Sequence, residues 1–192
     1  MSGAVGRGRE KLAHALSEFR VDVRGLDCAD FGCNVGGFTQ ALLDAGAARV
    51  HAIDTGYGVL AWTLRNDPRV VVMERSNALH AAPPAHGVSL VAIDLAWTPQ
   101  RLAIPAALRW LRPEDEGARI LTLIKPHYEE SAAGGRGGVL PEARAFEVAR
   151  RVLGEMEALG ARVLASTRSP ILGGGRGKGN IEWLALLAPM ER

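Results

Sequence analysis

Lysine is nearly missing from this 192-residue chain: of its 23 basic residues only Lys11, Lys125 and Lys178 are lysines, the rest being arginine. Arginine stays charged and presents a rigid planar fork, whereas lysine is a compact point charge that can lose a proton. Where arginine has taken almost every cationic position, the retained lysines become candidates for chemistry. Cysteine is scarcer still. Cys28 and Cys33 stand alone, at a spacing that suits neither a zinc site nor a redox pair, so no metal centre or disulfide framework is expected. No apolar run approaches the roughly 20 residues of a membrane-crossing helix. The Gly- and Arg-rich start, Met1 to Glu10, lacks the apolar core of a secretory signal, and the expected compartment is the cytoplasm.

Charge of one sign is also in short supply overall. A net charge of +2 is too small to mark a nucleic-acid binder. Its distribution says more: from Ala161 to Asn180 the chain carries Arg162, Arg168, Arg176 and Lys178 with no acidic residue. The N-terminal segment sets Arg7, Arg9 and Lys11 against Glu10 alone. If these two Gly-rich segments met in the fold, they would form an anion-binding surface; otherwise they are solvated loops.

What the chain does have is a regular alternation of short β-rich runs and helical stretches. Strands are expected at Leu26–Phe31, Arg49–Asp54, Arg69–Glu74, Val88–Asp94, Ala118–Lys125, Arg162–Thr167 and Ile181–Leu187. Helices are expected at about Arg9–Phe19, Gly36–Gly46, Gly58–Asn66, Gln100–Leu111 and Pro141–Leu159, the last opened by proline at its first turn. Such alternation predicts one α/β domain over residues 1–192: a mostly parallel seven-stranded sheet with helices on both faces. The last two strands lack a helix between them, so one should run antiparallel. Residues 1–24 form a helical extension outside the repeat, and Ser131–Gly138 and Gly173–Gly179 read as mobile loops.

Ligands of such sheets bind beyond the carboxyl ends of the strands. Here those ends offer Asp30, Asp54, Asn77, Asp94 and Lys125. Each alone reads as a turn former or helix cap; five together point to a site. The first turn, Gly32-Cys33-Asn34-Val35-Gly36-Gly37-Phe38, has the pattern G-x-x-x-G-G, not the G-x-G-x-x-G of a dinucleotide fold. Glycines allow the sharp turn and close ligand approach, and the next helix begins with its N–H groups facing the ligand. Asp54, 22 residues after Gly32, stands where an acidic residue accepts hydrogen bonds from the ribose hydroxyls of an adenosine group.

These residues resemble a known family. Asp30-Phe31-Gly32-Cys33-Asn34-Val35-Gly36-Gly37-Phe38-Thr39 is similar to the first motif of the FtsJ/TlyA-type RNA methyltransferases, as is Val50–Tyr57. The resemblance continues through Arg65–Val70, Glu74–Asn77, Leu123-Ile124-Lys125-Pro126-His127-Tyr128-Glu129 and Gly177-Lys178-Gly179-Asn180-Ile181-Glu182, and covers Arg7 to Leu187. It implies a Rossmann-like methyltransferase fold, S-adenosylmethionine as cofactor, and transfer of a methyl group to a ribose 2′-hydroxyl of RNA. The expected RNA is ribosomal, free or within a ribosomal subunit. The family's Lys-Asp-Lys-Glu tetrad falls on Lys11, Asp94, Lys125 and Glu182, so two of the three lysines land on it. Its cofactor contacts fall on Gly36, Phe38, Asp54, Asn77 and Asp94, beside Gly32, Asn34 and Gly37 of the glycine turn. Two departures stand out: no S4-like RNA-binding domain is expected within this chain, and Asn77 replaces the aspartate common in the FtsJ branch.

The tetrad implies a mechanism in which Lys125 activates or orients the hydroxyl, Asp94 and Glu182 position it, and Lys11 supports the nucleotide. A second ammonium favours a neutral lysine, while two carboxylates oppose it, and the tetrad is formally neutral. Arg7, Arg9, Trp97, Tyr128, Arg176 and Lys178 are the expected RNA contacts. Trp97 and Tyr128 lie three residues beyond tetrad members, where an aromatic face would hold an unstacked base or simply pack. His127 reads as a loop residue. The rival readings are a catalytically silent binding module, which an intact tetrad disfavours, and an NAD-dependent oxidoreductase, which the glycine spacing disfavours. A pore-forming role finds no amphipathic or spanning segment to support it.

Overall fold

The computed structural model describes residues 3–132, 138–174 and 179–190. Seven strands form one sheet: β1 Asp27–Phe31, β2 Arg49–Ile53, β3 Val70–Met73, β4 Leu90–Ile93, β5 Arg119–Ile124, β6 Ala161–Arg168 and β7 Trp183–Pro189. Their order is β3-β2-β1-β4-β5-β7-β6. All neighbouring pairs from β3 to β5 are parallel, and β7 runs antiparallel between β5 and β6. The antiparallel strand expected near the C-terminus is therefore β7.

The central strands are short and apolar at nearly every position because both faces of a parallel sheet are covered. Alternate residues feed two separate cores. On one face Ala29, Phe31, Val91, Ile93 and Ile120 pack with Trp110, Val148 and Val152. On the other, Cys28, Leu90, Ala92, Leu121 and Leu123 pack with Leu12, Leu16 and Leu42. The second face is covered by α1 (Gly3–Glu18) and α2 (Gly37–Asp44); the first by α4 (Gln100–Leu108) and α6 (Glu142–Gly154). Two shorter helices, α3 (Trp62–Arg65) and α5 (Pro126–Ala132), follow β2 and β5.

Several elements differ from the sequence expectation for local reasons. The helix expected over residues 58–66 shrinks to one turn, since Gly58 takes a φ of 68° in the preceding loop. The long C-terminal helix ends at Gly154, followed by a 3-10 turn at Glu157–Leu159 and then Gly160 at φ 87°. Val88, expected in β4, makes an isolated parallel bridge to Leu111. Helix α5 takes in His127 and Ser131, both expected in loops; its seven residues are too few to show a helical repeat, though Pro126 at the first position suits a helix start. The loops expected at 131–138 and 173–179 fall largely outside the described residues.

Strand order reverses between β1 and β4, and the carboxyl ends of these two strands open the crevice where ligands of such sheets bind. Beneath it, Trp110 is fully buried, edge-on to Phe31 with ring centroids 5.3 Å apart, and donates its indole N–H to Ala81 O at 3.2 Å. Trp110→Ala empties the largest buried side chain of this face and should cost about 3–5 kcal/mol. Urea unfolding should show this as a lowered midpoint with unchanged slope; an unchanged midpoint would contradict this assignment of the core.

Candidate active site

The turn after β1 is built from backbone conformations that side chains resist. Gly32, Asn34 and Gly36 have φ values of 89°, 47° and 99°. Glycine adopts this region freely, and asparagine tolerates it better than most residues. A Cβ at Gly32 would lie 2.7 Å from Asp94 O, so the turn and the end of β4 touch through bare backbone. A Cβ at Gly36 would strike Leu64 Cδ1 at 2.1 Å, so Gly36 packs toward α3. Gly32, Asn34, Gly37 and Phe38 line one side of a cavity of about 410 Å³; Gly36, Asp54 and Asn77 do not line it.

Asp54 instead ties the turn together. Its two carboxylate oxygens accept the backbone N–H groups of Asn34 at 2.9 Å and Gly56 at 2.7 Å. The turn-capping role is thus satisfied, with lone pairs left for ribose hydroxyls. Asn77 is exposed, and its side-chain oxygen accepts the N–H of Leu79 at 3.0 Å.

Across the cavity stand the four tetrad residues, joined as two ion pairs. Lys11 comes from α1, where it shares the inward stripe with Leu12, Ala15 and Leu16. That stripe can approach α2 closely because Gly8 has no side chain; its Cβ would lie 3.2 Å from Gly37 Cα. Lys11 Nζ is 2.5 Å from Glu182 Oε2, with the two residues 7% and 3% exposed. Burial is the largest influence on Glu182 and raises its pKa above the ordinary carboxyl value, against the opposing charges of Lys11 and Lys125. Lys125 Nζ lies 2.5 Å from Asp94 Oδ1 and also donates to Leu95 O at 3.2 Å. The pairing differs from the expectation that both carboxylates attend Lys125: Glu182 belongs to Lys11.

The expected RNA contacts divide. Arg7 lines the cavity and donates to Leu172 O, tying α1 to the C-terminal loop. Arg9 is paired with Asp44 at 2.6 Å on the α1–α2 seam and does not line it. Tyr128 lines it, and Trp97, 78% exposed at φ 60°, tilts against it with ring centroids 4.5 Å apart. Arg176 and Lys178 lie outside the described residues.

Two residues behave otherwise than their sequence suggested. Asp30 is fully buried and turned away from the cavity, accepting the Thr39 hydroxyl at 2.6 Å while its Oδ1 has no partner. Burial pushes its carboxyl up to about 7, with the Thr39 bond opposing. His127, read as loop, is the second residue of α5 and lines the cavity. The only available signal was its place two residues beyond Lys125.

A family model described as FtsJ-like methyltransferase matches residues 4–184 of this chain. The 16S/23S rRNA (cytidine-2′-O)-methyltransferase TlyA of Mycobacterium tuberculosis is 42% identical over 191 residues, which cover 95% of this chain and 68% of that protein. Hemolysin A of Brachyspira hyodysenteriae is 33% identical over 94% of this chain and 75% of its own length. Among solved structures, a Lactococcus lactis protein provisionally described as a hemolysin superimposes with a TM-score of 0.85 at 34% identity. That match covers 95% of this chain and 86% of the other. An S-adenosylmethionine-dependent methyltransferase from Mesorhizobium loti, 16% identical, shares the fold with a TM-score of 0.63 over 91% of this chain and 96% of its own. No helix among the described residues is long and apolar enough to cross a membrane.

Asp30 makes stability depend on pH in a direction opposite to that of a paired carboxylate. An unfolded aspartate loses its proton near 3.9, while the folded chain keeps it until about 7. Between these values the folded state binds more protons, so this contribution declines as pH rises and is flat above about 7. Asp30→Asn should therefore gain stability relative to the parent between pH 4.5 and 7.5, measured by urea unfolding of the ligand-free protein. A difference that does not change with pH would refute the buried, proton-retaining carboxyl.

Proposed function

This chain belongs to the FtsJ-like methyltransferase family, and on that premise we propose that it transfers a methyl group from S-adenosylmethionine to a ribose 2′-hydroxyl of RNA. The name of the Mycobacterium tuberculosis relative supports ribosomal RNA, free or in a ribosomal subunit, as the acceptor. The observation that carries the reading is one cavity bounded by the glycine turn on one side and two lysine–carboxylate pairs on the other. Residues 1–24 belong to the same functional unit, since α1 delivers Lys11.

The residues fit the cofactor. About 410 Å³ is within the range of ligand pockets. Gly32 and Gly37 leave a wall without side chains; Asp54, behind the turn it ties together, would offer its remaining lone pairs to the ribose, and Asp94 would offer a carboxylate to the cofactor's positive charge. S-adenosylmethionine supplies an electrophilic methyl carbon open to in-line displacement. The protein's share begins with position: holding the hydroxyl oxygen behind that carbon is worth about 7–11 kcal/mol of barrier. Lys125 orients the hydroxyl, and its 2.5 Å contact with Asp94 gives the displaced proton a route. The proton passes to the lysine nitrogen as lysine hands its own to the carboxylate. Lys11, held by Glu182, presents a second positive charge to the oxygen as negative charge develops. Trp97 and Tyr128 offer aromatic faces for the target base, and Arg7 a cation at the rim. For Arg176 and Lys178 the proposal rests on their charge in the sequence alone, with phosphate the partner of Lys178.

Incubation with labelled S-adenosylmethionine and ribosomal subunits or total RNA should place label in RNA. Lys125→Ala should lower the rate by about 10²- to 10⁴-fold while leaving cofactor binding intact. S-adenosylmethionine, and not NAD, should raise the melting temperature, because a ligand of the native state stabilises it. Near-normal transfer by Lys125→Ala would remove the lysine from the chemistry. Cofactor binding without label in any RNA would make the chain a non-catalytic binding module.

A further inference from the structure

The mechanism above leaves one nitrogen of the cavity unused. His127 lines it beside Lys125 and Tyr128, and α5 fixes its backbone, with Ser131 Oγ donating to His127 O at 2.8 Å. Its ring lies 4.1 Å, centroid to centroid, from that of Tyr128, which in turn leans on Trp97. Imidazole, phenol and indole thus make a chain of tilted ring contacts that ends at the exposed Trp97.

The two ring nitrogens have different surroundings. Nδ1 is sealed from solvent and has no hydrogen-bond partner. Among the described residues Nε2 has no hydrogen-bond partner, and of the two nitrogens only Nδ1 is sealed, which leaves Nε2 as the nitrogen available to the cavity that His127 lines. A proton on Nδ1 would bury an N–H with no acceptor, a rarer and costlier arrangement than a buried lone pair. The proton therefore sits on Nε2, and the ring offers the cavity a donor, not a base. Burial, reinforced by the positive charges of Lys125 and Lys11, pushes the imidazole down to about 4, so it is neutral at neutral pH.

A neutral, directional donor among ammonium groups has a specific use. Lys11 and Lys125 already serve charged or developing-charge oxygens. An uncharged N–H between Lys125 and an aromatic face suits an uncharged acceptor; in RNA these are the ribose oxygens, already assigned to Lys125, and the carbonyl oxygens and unprotonated ring nitrogens of the base edges. We infer that His127 is a specificity-determining residue whose Nε2–H donates to an acceptor on the edge of the target base while Tyr128 and Trp97 hold its face. One turn of α5 and the residue before it would then read the nucleotide in three parts: Lys125 the sugar, His127 the base edge, Tyr128 the base face. This rests on the proposed RNA methyl transfer.

The test compares His127→Phe, which keeps a flat ring against Tyr128 but removes the donor, with His127→Gln, which keeps a donor. On ribosomal RNA carrying the nucleotide that the wild-type protein labels, His127→Phe should lose roughly tenfold in kcat/KM, chiefly through KM. His127→Gln should recover most of that loss, and both variants should bind S-adenosylmethionine as wild type does. On the same RNA with the target nucleotide made abasic, wild type and His127→Phe should become equal. Equal rates on the intact RNA, no rescue by glutamine, or a tenfold deficit that persists on the abasic RNA would each overturn the assignment. Failure of the wild-type protein to label any RNA would instead overturn the proposed function and this inference with it.

Discussion

A lysine buried in an apolar helix face cannot stay there alone, and the arrangement of this molecule follows from how that cation is compensated. Lys11 lies on the stripe that α1 presses against the sheet, and Glu182 at the start of β7 neutralises it at 2.5 Å. The two residues stand 171 positions apart, so the pair closes nearly the whole chain into one loop. Removing either partner would leave a buried charge uncompensated, at a cost of about 3–5 kcal/mol. Burying such a pair gains little stability over apolar packing; what it does provide is an ammonium aimed into a cavity at a set position. Gly173 shares this constraint, since a Cβ there would lie 1.9 Å from Glu182 Oε1.

The second lysine is placed by a different device. Lys125 and Asp94 end adjacent parallel strands, β5 and β4, so the ladder itself brings them to the same edge. Gly32 lets the glycine turn meet Asp94 through backbone alone, and Gly8 lets α1 approach α2 at Gly37. Close backbone contacts at two glycines thus join the helix that carries Lys11, the glycine turn that lines the cavity and the strand end that carries Asp94. Catalytic geometry of this kind comes from rigid elements meeting closely, with few mobile parts between them.

Much of this was readable in the residues, and the exceptions have physical reasons. Apolar runs of parallel-strand type located all seven strands to within a few residues, and the missing helix between the last two announced that one of them is reversed. The polar residues after each strand named the edge, and the scarcity of lysine marked Lys11, Lys125 and Lys178, of which the family resemblance chose the first two. Pairing was not readable, because which carboxylate meets which lysine depends on how α1 crosses α2, a tertiary event without a local signature. Asp30 shows the limit of counting polar strand ends: side chains alternate along a strand, and this one turns inward to Thr39. Gly36 serves packing against Leu64, and Arg9 serves Asp44, although both sit within motifs that read as ligand-binding. Helix α5 leaves no signal because seven residues are too short for periodicity, and His127 reads as loop for the same reason.

Transfer at this cavity puts the methyl group on an oxygen of the sugar and leaves the base unchanged. A 2′-O-methyl group removes the nucleophile that alkali uses to cleave the adjoining phosphodiester, so the chemistry can be read without knowing the nucleotide. RNA labelled by the wild-type protein and labelled S-adenosylmethionine would be hydrolysed completely in alkali and separated by charge. Transfer to the 2′-oxygen leaves label in alkali-resistant dinucleotides. Label in mononucleotides would place the methyl group on a base and contradict it.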